Sequence, residues 1–379
     1  MSTTQAPPSP EVLIPGLPND VALNCLVRVP RWHHPVLAAV SKPIRSLLSS
    51  PHFFSLRSHL NSTQNILYVS ITPEDYKQPH NFFAIHPKPV SNSTINDDWK
   101  SFLLLAPTPL FPRNLRNSSY AVLGSKIYLI GGSIDGVRSS DVWVLDCRFH
   151  TWDRSPSLGL RRESPQTVVL DGKIYVIGGE TPSCRKIDGR WVPLLRGNRL
   201  AEVFDPVTGN WEVLHVPLVN ETINFYHITK CAVIRGRVCI FFLRRRGLGF
   251  DPKTKKWEEL PMEMDEDWKE VGGGLYRCEP FGGILGFDEE DGEWKEVQGL
   301  KKVLPGFEYA ECVTNVGGRL ALLWNEKVKS GTGEVEKVMW CGEIEVEKRG
   351  ENDLWAKVHW AGKLELNRGR HFKWKSVSL

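Results

Sequence analysis

Two stretches of the chain repeat one pattern of apolar and polar positions. Residues 124–152 run GSKIYLIGG, then DVWVLD, then FHTW; residues 171–211 run DGKIYVIGG, then AEVFD, then TGNW. Each copy holds an apolar strand ending in a glycine pair (Gly131-Gly132 or Gly178-Gly179), a second strand closing on Asp146 or Asp205, a turn, and a tryptophan, Trp152 or Trp211. The Ile-Tyr-Leu-Ile and Ile-Tyr-Val-Ile runs are apolar without alternation, so both faces of each strand must be covered. That predicts one small antiparallel sheet per copy, stacked on the sheets of neighbouring copies. The glycine pair permits positive φ where the chain turns out of the strand and lets another backbone approach closely.

The rest of the chain divides by composition. Residues 1–12, rich in Ser, Thr and Pro, bury too little to order themselves and read as a flexible tail. From 13 to about 60 there is no strand pattern. Leu17-Pro18-Asn19-Asp20 offers a helix start with Asn19 or Asp20 as N-cap. His34-Pro35 starts a second helix and Lys42-Pro43 a third, in which Ile44, Leu47 and Leu48 share a face. Ser50-Pro51 opens a last turn carrying Phe53 and Phe54. So small a helical core predicts an apolar face completed by a partner. From 61 to the end the pattern is β.

The Gly-Gly and Trp landmarks, at a period of about 50 residues, resemble kelch repeats, each of which is one blade of a β-propeller. Weaker copies close at Trp99, Trp257, Trp294 and Trp355, and the spacing of all six tryptophans averages about 51 residues. The expected fold is therefore mainly β: a kelch-type propeller of about six blades, preceded by a small all-α domain. In this reading a polar loop occupies residues 327–336 and an acidic insert residues 258–270. The ring must close to avoid an open sheet edge. Residues 66–71 and the tail near 360–374 are both candidates for the closing strand.

The string LPNDVALNCLVRVPRWHHPVLAAVSKPIRSLLSSPHF resembles an F-box, and its order before the repeats is similar to plant F-box/kelch-repeat proteins of the Skp-interacting-partner type. The resemblance implies a substrate-recognition subunit of an SCF (Skp, cullin, F-box) ubiquitin ligase. Its F-box would bind a Skp-type adaptor, and through it cullin, while the propeller binds an unidentified target protein. It places the adaptor contacts on Leu17, Pro18, Val21, Leu26, Val29 and Pro30, then on Val40, Ser41, Ile44 and Leu47. The family pattern has Cys and Trp where this chain has Ser41 and Ile44. Ile offers less apolar area than Trp, which predicts weaker adaptor binding. A kelch scaffold with no part in ubiquitin transfer is the alternative.

Charge and chemistry narrow the picture further. With 48 basic and 44 acidic side chains the net charge is +4, too balanced to argue for nucleic acid. The eight cysteines include no C-x-x-C, so neither a zinc nor a redox motif is written. There is no nucleophile elbow, P-loop or dinucleotide fingerprint. The adjacent His33 and His34 point in different directions. A copper-oxidase propeller needs paired Tyr and His on its channel, and a strand would put Tyr226 and His227 on opposite faces. A non-catalytic protein without a cofactor is expected. The N-terminus lacks a secretory pattern and no run approaches the roughly 18 apolar residues of a membrane span, which predicts a cytoplasmic or nuclear protein. Arg244, Arg245 and Arg246 follow the apolar strand IFFL and are the candidate grip for an acidic or phosphorylated segment of a target.

Overall fold

A computed structural model describes residues 12–72, 81–89, 100–111, 115–179, 183–187, 190–194, 200–217, 228–242, 245–260, 268–279, 283–288, 292–308, 310, 312–329, 335–350, 353–364 and 371–378. The chain forms two compact units, one reaching to Ile66 and the other spanning Leu67–Val377.

The first unit is helical. Helix α1 is Asn19–Val27, α2 His34–Val40, α3 Lys42–Leu48 and α4 Pro51–His59, with a 3-10 turn at Arg31–His33. Prolines stand in the first turns of α2, α3 and α4, where a missing N–H costs nothing. Ser41 and Ser50 cap α3 and α4, accepting from the N–H of Ile44 at 3.3 Å and of Phe53 at 3.2 Å. Two local expectations change. Pro18 occupies the N-cap position of α1, and the Asn19 side chain instead accepts from the N–H of Leu13 at 3.0 Å. The last turn is a full nine-residue helix, α4, because its Ser cap and the buried pair Phe53 and Phe54 support it. Arg57 of α4 is buried; its Nη1 donates to the carbonyls of Val27 at 2.7 Å and Val29 at 2.9 Å, satisfying the open C-terminal end of α1. Burial, with Arg31 adding repulsion, pulls the Arg57 guanidinium down to about 10.

Among the described residues the second unit contains six four-stranded blades; four are separate sheets, and blades five and six join edge to edge into one eight-stranded sheet. Blade two is Ser119–Leu123, Lys126–Ile130, Val142–Asp146 and Thr151–Ser155. Blade three is Gln166–Leu170, Lys173–Ile177, Ala201–Asp205 and Asn210–Leu214. Blade four is Ile228–Ile234, Arg237–Phe242, Arg245–Asp251 and Lys256–Glu259. Blade five is Trp268–Val271, Gly274–Cys278, Ile284–Asp288 and Glu293–Gln298, and blade six Cys312–Val316, Arg319–Lys329, Val335–Arg349 and Asp353–Lys363. From blade two to blade six, successive first strands lie beside one another, so the first strand is the innermost of each blade.

Both candidate closing segments are used. Blade one runs in the order His371–Ser378, Asn65–Thr72, Asn81–Pro89, Ser101–Pro107, so the C-terminal strand takes the innermost place in the first blade. An unpaired inner edge is thereby removed. A second closure lies at the rim, where the fourth strand of blade six pairs in parallel with blade five (Val297 with Leu354, Gln298 with Trp355) and bridges Lys100, the residue before the last strand of blade one.

The core sits between blades. Tyr128 and Ile130 of blade two pack with Ile174, Val176 and Phe204 of blade three, while Ile127 and Leu129 are buried on the opposite face of the same strand. Equivalent clusters join blades three and four, four and five, five and six, and six and one. Two stretches differ from expectation. The end of the acidic insert is the inner strand of blade five, held by the fully buried Trp268 against Phe241. The loop at 327–336 is largely strand: blade six continues as a two-stranded ribbon from Asn325 opposite Met339 to Lys329 opposite Val335. Alternating charge and β-branched residues suit such a pair, although they read as polar in sequence.

Candidate binding surfaces

On the helical unit the apolar residues separate into two sets. Ala22, Leu26, Val27, Ile44, Leu48, Phe53 and Phe54 form its core. Leu17 and Val21 stand four residues apart with 40% and 43% of their surface exposed, and Val36 and Val40 repeat that spacing on α2 at 67% each. Helix α2, HPVLAAV, contains no buried residue at all. An apolar helix this short gains little from intrinsic propensity and ordinarily needs packing to hold it. Of the residues singled out in the sequence, Leu17, Pro18, Val21 and Val40 are exposed, and Val29, Pro30, Ser41 and Leu47 are half-buried. Leu26 and Ile44, each 4% exposed, lie in the core and support that surface from beneath. Val36 was missed, although its spacing from Val40 was readable. His34 directs Nε2 at the Val29 carbonyl, 3.3 Å away.

The propeller has two unlike faces. On one, strands one and two of blades two to six, and strands three and four of blades two to four, are joined by turns of two to four residues. Asp205 and Asp251 accept from the N–H two residues on, both at 2.9 Å, and Asp146 does the same at 3.0 Å. These are Asx turns, which is why the repeat needs Asp at that position. On the other face lie the linkers between blades and the longer connections from second to third strand. These include the ribbons Ser133–Ile134 with Val137–Arg138 and Ser183–Ile187 with Arg190–Leu194.

The repeat residues hold this second face in place. Gly131 and Gly132 both have positive φ, and a Cβ on either would come within 2.6 Å of the Arg162 or Arg116 carbonyl, so only glycine fits there. Gly178 and Gly179 take the same conformation in blade three. Trp152, Trp211 and Trp257 each donate Nε1 to a carbonyl of the linker that precedes their blade: Pro109 at 3.0 Å, Pro156 at 2.8 Å and His215 at 2.9 Å. Trp294 stacks under Arg277 at 4.7 Å and beside Phe287. At the seam of blades two and three, fully buried Arg162 donates to Glu202 Oε1 at 2.9 and 3.0 Å and to the carbonyls of Gly178 and Leu200. Glu163 accepts from Asn117 at 2.9 Å and Ser133 at 2.7 Å, with Arg138 at 3.5 Å. These bonds, led by the one from Asn117, hold its carboxyl below the usual range. Sequence reasoning missed Arg162 and Glu202, which are 40 residues apart.

Among the described residues no group of three or more His, Cys, Asp or Glu is placed to hold a metal ion, and no helix is long and apolar enough to cross a membrane. Arg245 and Arg246 open the third strand of blade four. Arg244, Trp99, Tyr226 and His227, most of the acidic insert and most of residues 1–12 lie outside the described residues.

Residues 14–56 match the F-box domain and residues 82–364 match the family described as FKB95, Kelch-repeats domain. The chain belongs to the F-box/kelch-repeat family. It is 34% identical over 384 residues to one F-box/kelch-repeat protein of Arabidopsis thaliana, covering 94% of this chain and 92% of that one. A second from the same plant is 33% identical over 375 residues, covering 92% and 85%. The solved structure of YjhT aligns over 73% of this chain and 91% of its own at 13% identity and a TM-score of 0.41. An F-box joined to kelch repeats supports an SCF-type substrate-adaptor role, and this architecture is typical of non-catalytic adaptor and receptor proteins.

Proposed function

We propose that this F-box/kelch-repeat protein is the substrate-recognition subunit of an SCF-type ubiquitin ligase. The helical unit binds a Skp-type adaptor and through it cullin, and the propeller binds the protein to be ubiquitinated. The adaptor surface is made by Leu17, Pro18, Val21, Val29, Pro30, Val40, Ser41 and Leu47, with Leu26 and Ile44 holding it from below. The observation that carries the reading is α2, an apolar helix with none of its residues buried. Covering Val36 and Val40 would remove apolar surface from water at about 25 cal/mol per Å². The chain itself makes no bond: the gain in rate comes from tethering, which makes the encounter of target and conjugating enzyme intramolecular.

The test is co-purification with a Skp-type adaptor and cullin, beside a Leu17→Ala, Pro18→Ala double variant. Capture by the native chain and loss in the variant is the expected result. Equal failure of both, with the chain folded, refutes the receptor role and leaves a kelch scaffold.

A further inference from the structure

The ribbon between the second and third strands of blade two is held from both sides. Its strands, Ser133–Ile134 and Val137–Arg138, are joined by Asp135 and Gly136 at φ 50° and 78°, a two-residue turn that keeps a hairpin tight. On one side Ser133 exchanges backbone hydrogen bonds with Arg116 of the preceding linker, at 2.7 and 2.8 Å. On the other, the N–H of Arg162 in the next linker donates to the Ser139 carbonyl at 3.0 Å. A row of three results: Arg116 stands opposite Ser133 and Ser133 opposite Arg138, so the three side chains share one face. On that face two arginines meet one carboxylate. Glu163 accepts from Ser133 Oγ at 2.7 Å and lies 3.5 Å from Arg138 Nε, and its carboxyl, held below the usual range, stays charged. Arg138 uses only that edge of its guanidinium: Nη1 is shielded from water and has no hydrogen-bond partner, while 32% of the side chain remains exposed. Arg116 and Arg138 against Glu163 leave one positive charge on the row, and the ribbon's other acid, Asp135, stands in the exposed turn beyond it.

We infer that the row Arg116, Ser133 and Arg138 is a carboxylate subsite of the target-binding face, taking an aspartate or glutamate side chain of the target protein between its two arginines. This deepens the receptor reading, on which it rests, by a place and a chemistry. An arginine fork is satisfied by two parallel bonds to a carboxylate, and Arg138 makes one long contact to Glu163. A second carboxylate balances the row's charge and gives the guanidinium its missing acceptor. Backbone bonds to both linkers fix the row before a ligand arrives, so little freedom is lost on binding. Glu163 is then a built-in competitor for Arg138.

The test is fluorescence anisotropy of labelled octaglutamate on the full chain at low salt, with octaglutamine as its neutral counterpart. Octaglutamate should bind and octaglutamine should not. Arg116→Ala and Arg138→Ala should each weaken octaglutamate about fivefold. Lys253→Ala with Lys255→Ala, in an exposed turn of the opposite face, should change it less than about twofold. Glu163→Gln should act in the other direction and tighten it about threefold, because it keeps an acceptor for Ser133 and removes the competing charge. Equal binding of the two peptides, no binding of octaglutamate, unchanged binding in both arginine variants, or weakening by Glu163→Gln would overturn the inference. Melting curves and capture by a Skp-type adaptor are read on the same samples, and the variants should keep both. Failed capture by the native chain refutes the receptor reading, whereas kept capture with any of those four outcomes refutes the subsite alone.

Discussion

Blades two and three and blade six reach the same four-stranded sheet from different sequences. In the first two, five-residue strands end in glycine pairs and a fourth-strand tryptophan is tied to the preceding linker. Blade six has strands of 11 and 15 residues, and the tryptophan bonded to its linker is Trp324 of the second strand, donating to the Pro305 carbonyl at 2.9 Å. Trp324 is fully buried and stacks with Trp340 at 6.0 Å. The anchor is conserved physically while its place in the blade moves. What these three blades share is a second strand buried on both faces and one indole that satisfies a linker carbonyl, rather than the letters of the repeat.

The sharpest way to break the comparison is at the ion pairs. Arg162→Ala strands Glu202 without its cation in the interior and should cost about 3 to 5 kcal/mol in chemical denaturation. Arg319→Ala in blade six removes a partner that is 43% exposed from Glu343, and should cost less than about 1 kcal/mol. Equal costs would show that the ion pairs of the regular and irregular blades contribute alike. Next come the glycines: Gly132→Ala meets a backbone oxygen and a hydroxyl at 2.4 Å and should cost about 3 kcal/mol. Gly209→Ala has open space and a positive φ only, and should cost about 1 kcal/mol.

The indoles give a smaller effect. Trp324→Phe leaves the Pro305 carbonyl without its donor at a buried site and should cost about 2 kcal/mol, against about 1 for Trp211→Phe at the half-exposed rim, both read from urea midpoints. The smallest is the acid response of Glu163. Its folded pKa lies below the unfolded value, so its stabilisation is present above about pH 4.3 and is lost as the pH falls through the folded pKa. Between pH 5 and 3 the native chain should lose more of its melting temperature than Glu163→Gln, by less than about 1 kcal/mol equivalent.

What could be read from the sequence follows from range. Strand runs such as Ile-Tyr-Val-Ile and the Pro and Ser punctuation of α2 to α4 are local and were legible. Blade six was legible only as a weak copy closing at Trp355, and its ribbon read as a loop because charged residues occupy it. Trp268 was hidden by the acids around it. Arg57 and Arg162 were invisible because their partners lie far along the chain, and a lone arginine carries no periodicity. On the binding surface, exposed and core residues share one apolar pattern, so Leu26 and Ile44 were not separable from Val21 and Val40 without the packing.

The central claim is that the exposed apolar strip of the helical unit is where a Skp-type adaptor docks. Titration calorimetry with that adaptor, comparing the native chain, Val40→Glu on the strip and Val207→Glu in an exposed turn of the propeller, tests it most directly. The account predicts that Val40→Glu weakens binding by at least about tenfold and that Val207→Glu leaves it unchanged. Native affinity surviving Val40→Glu in a folded chain would contradict it.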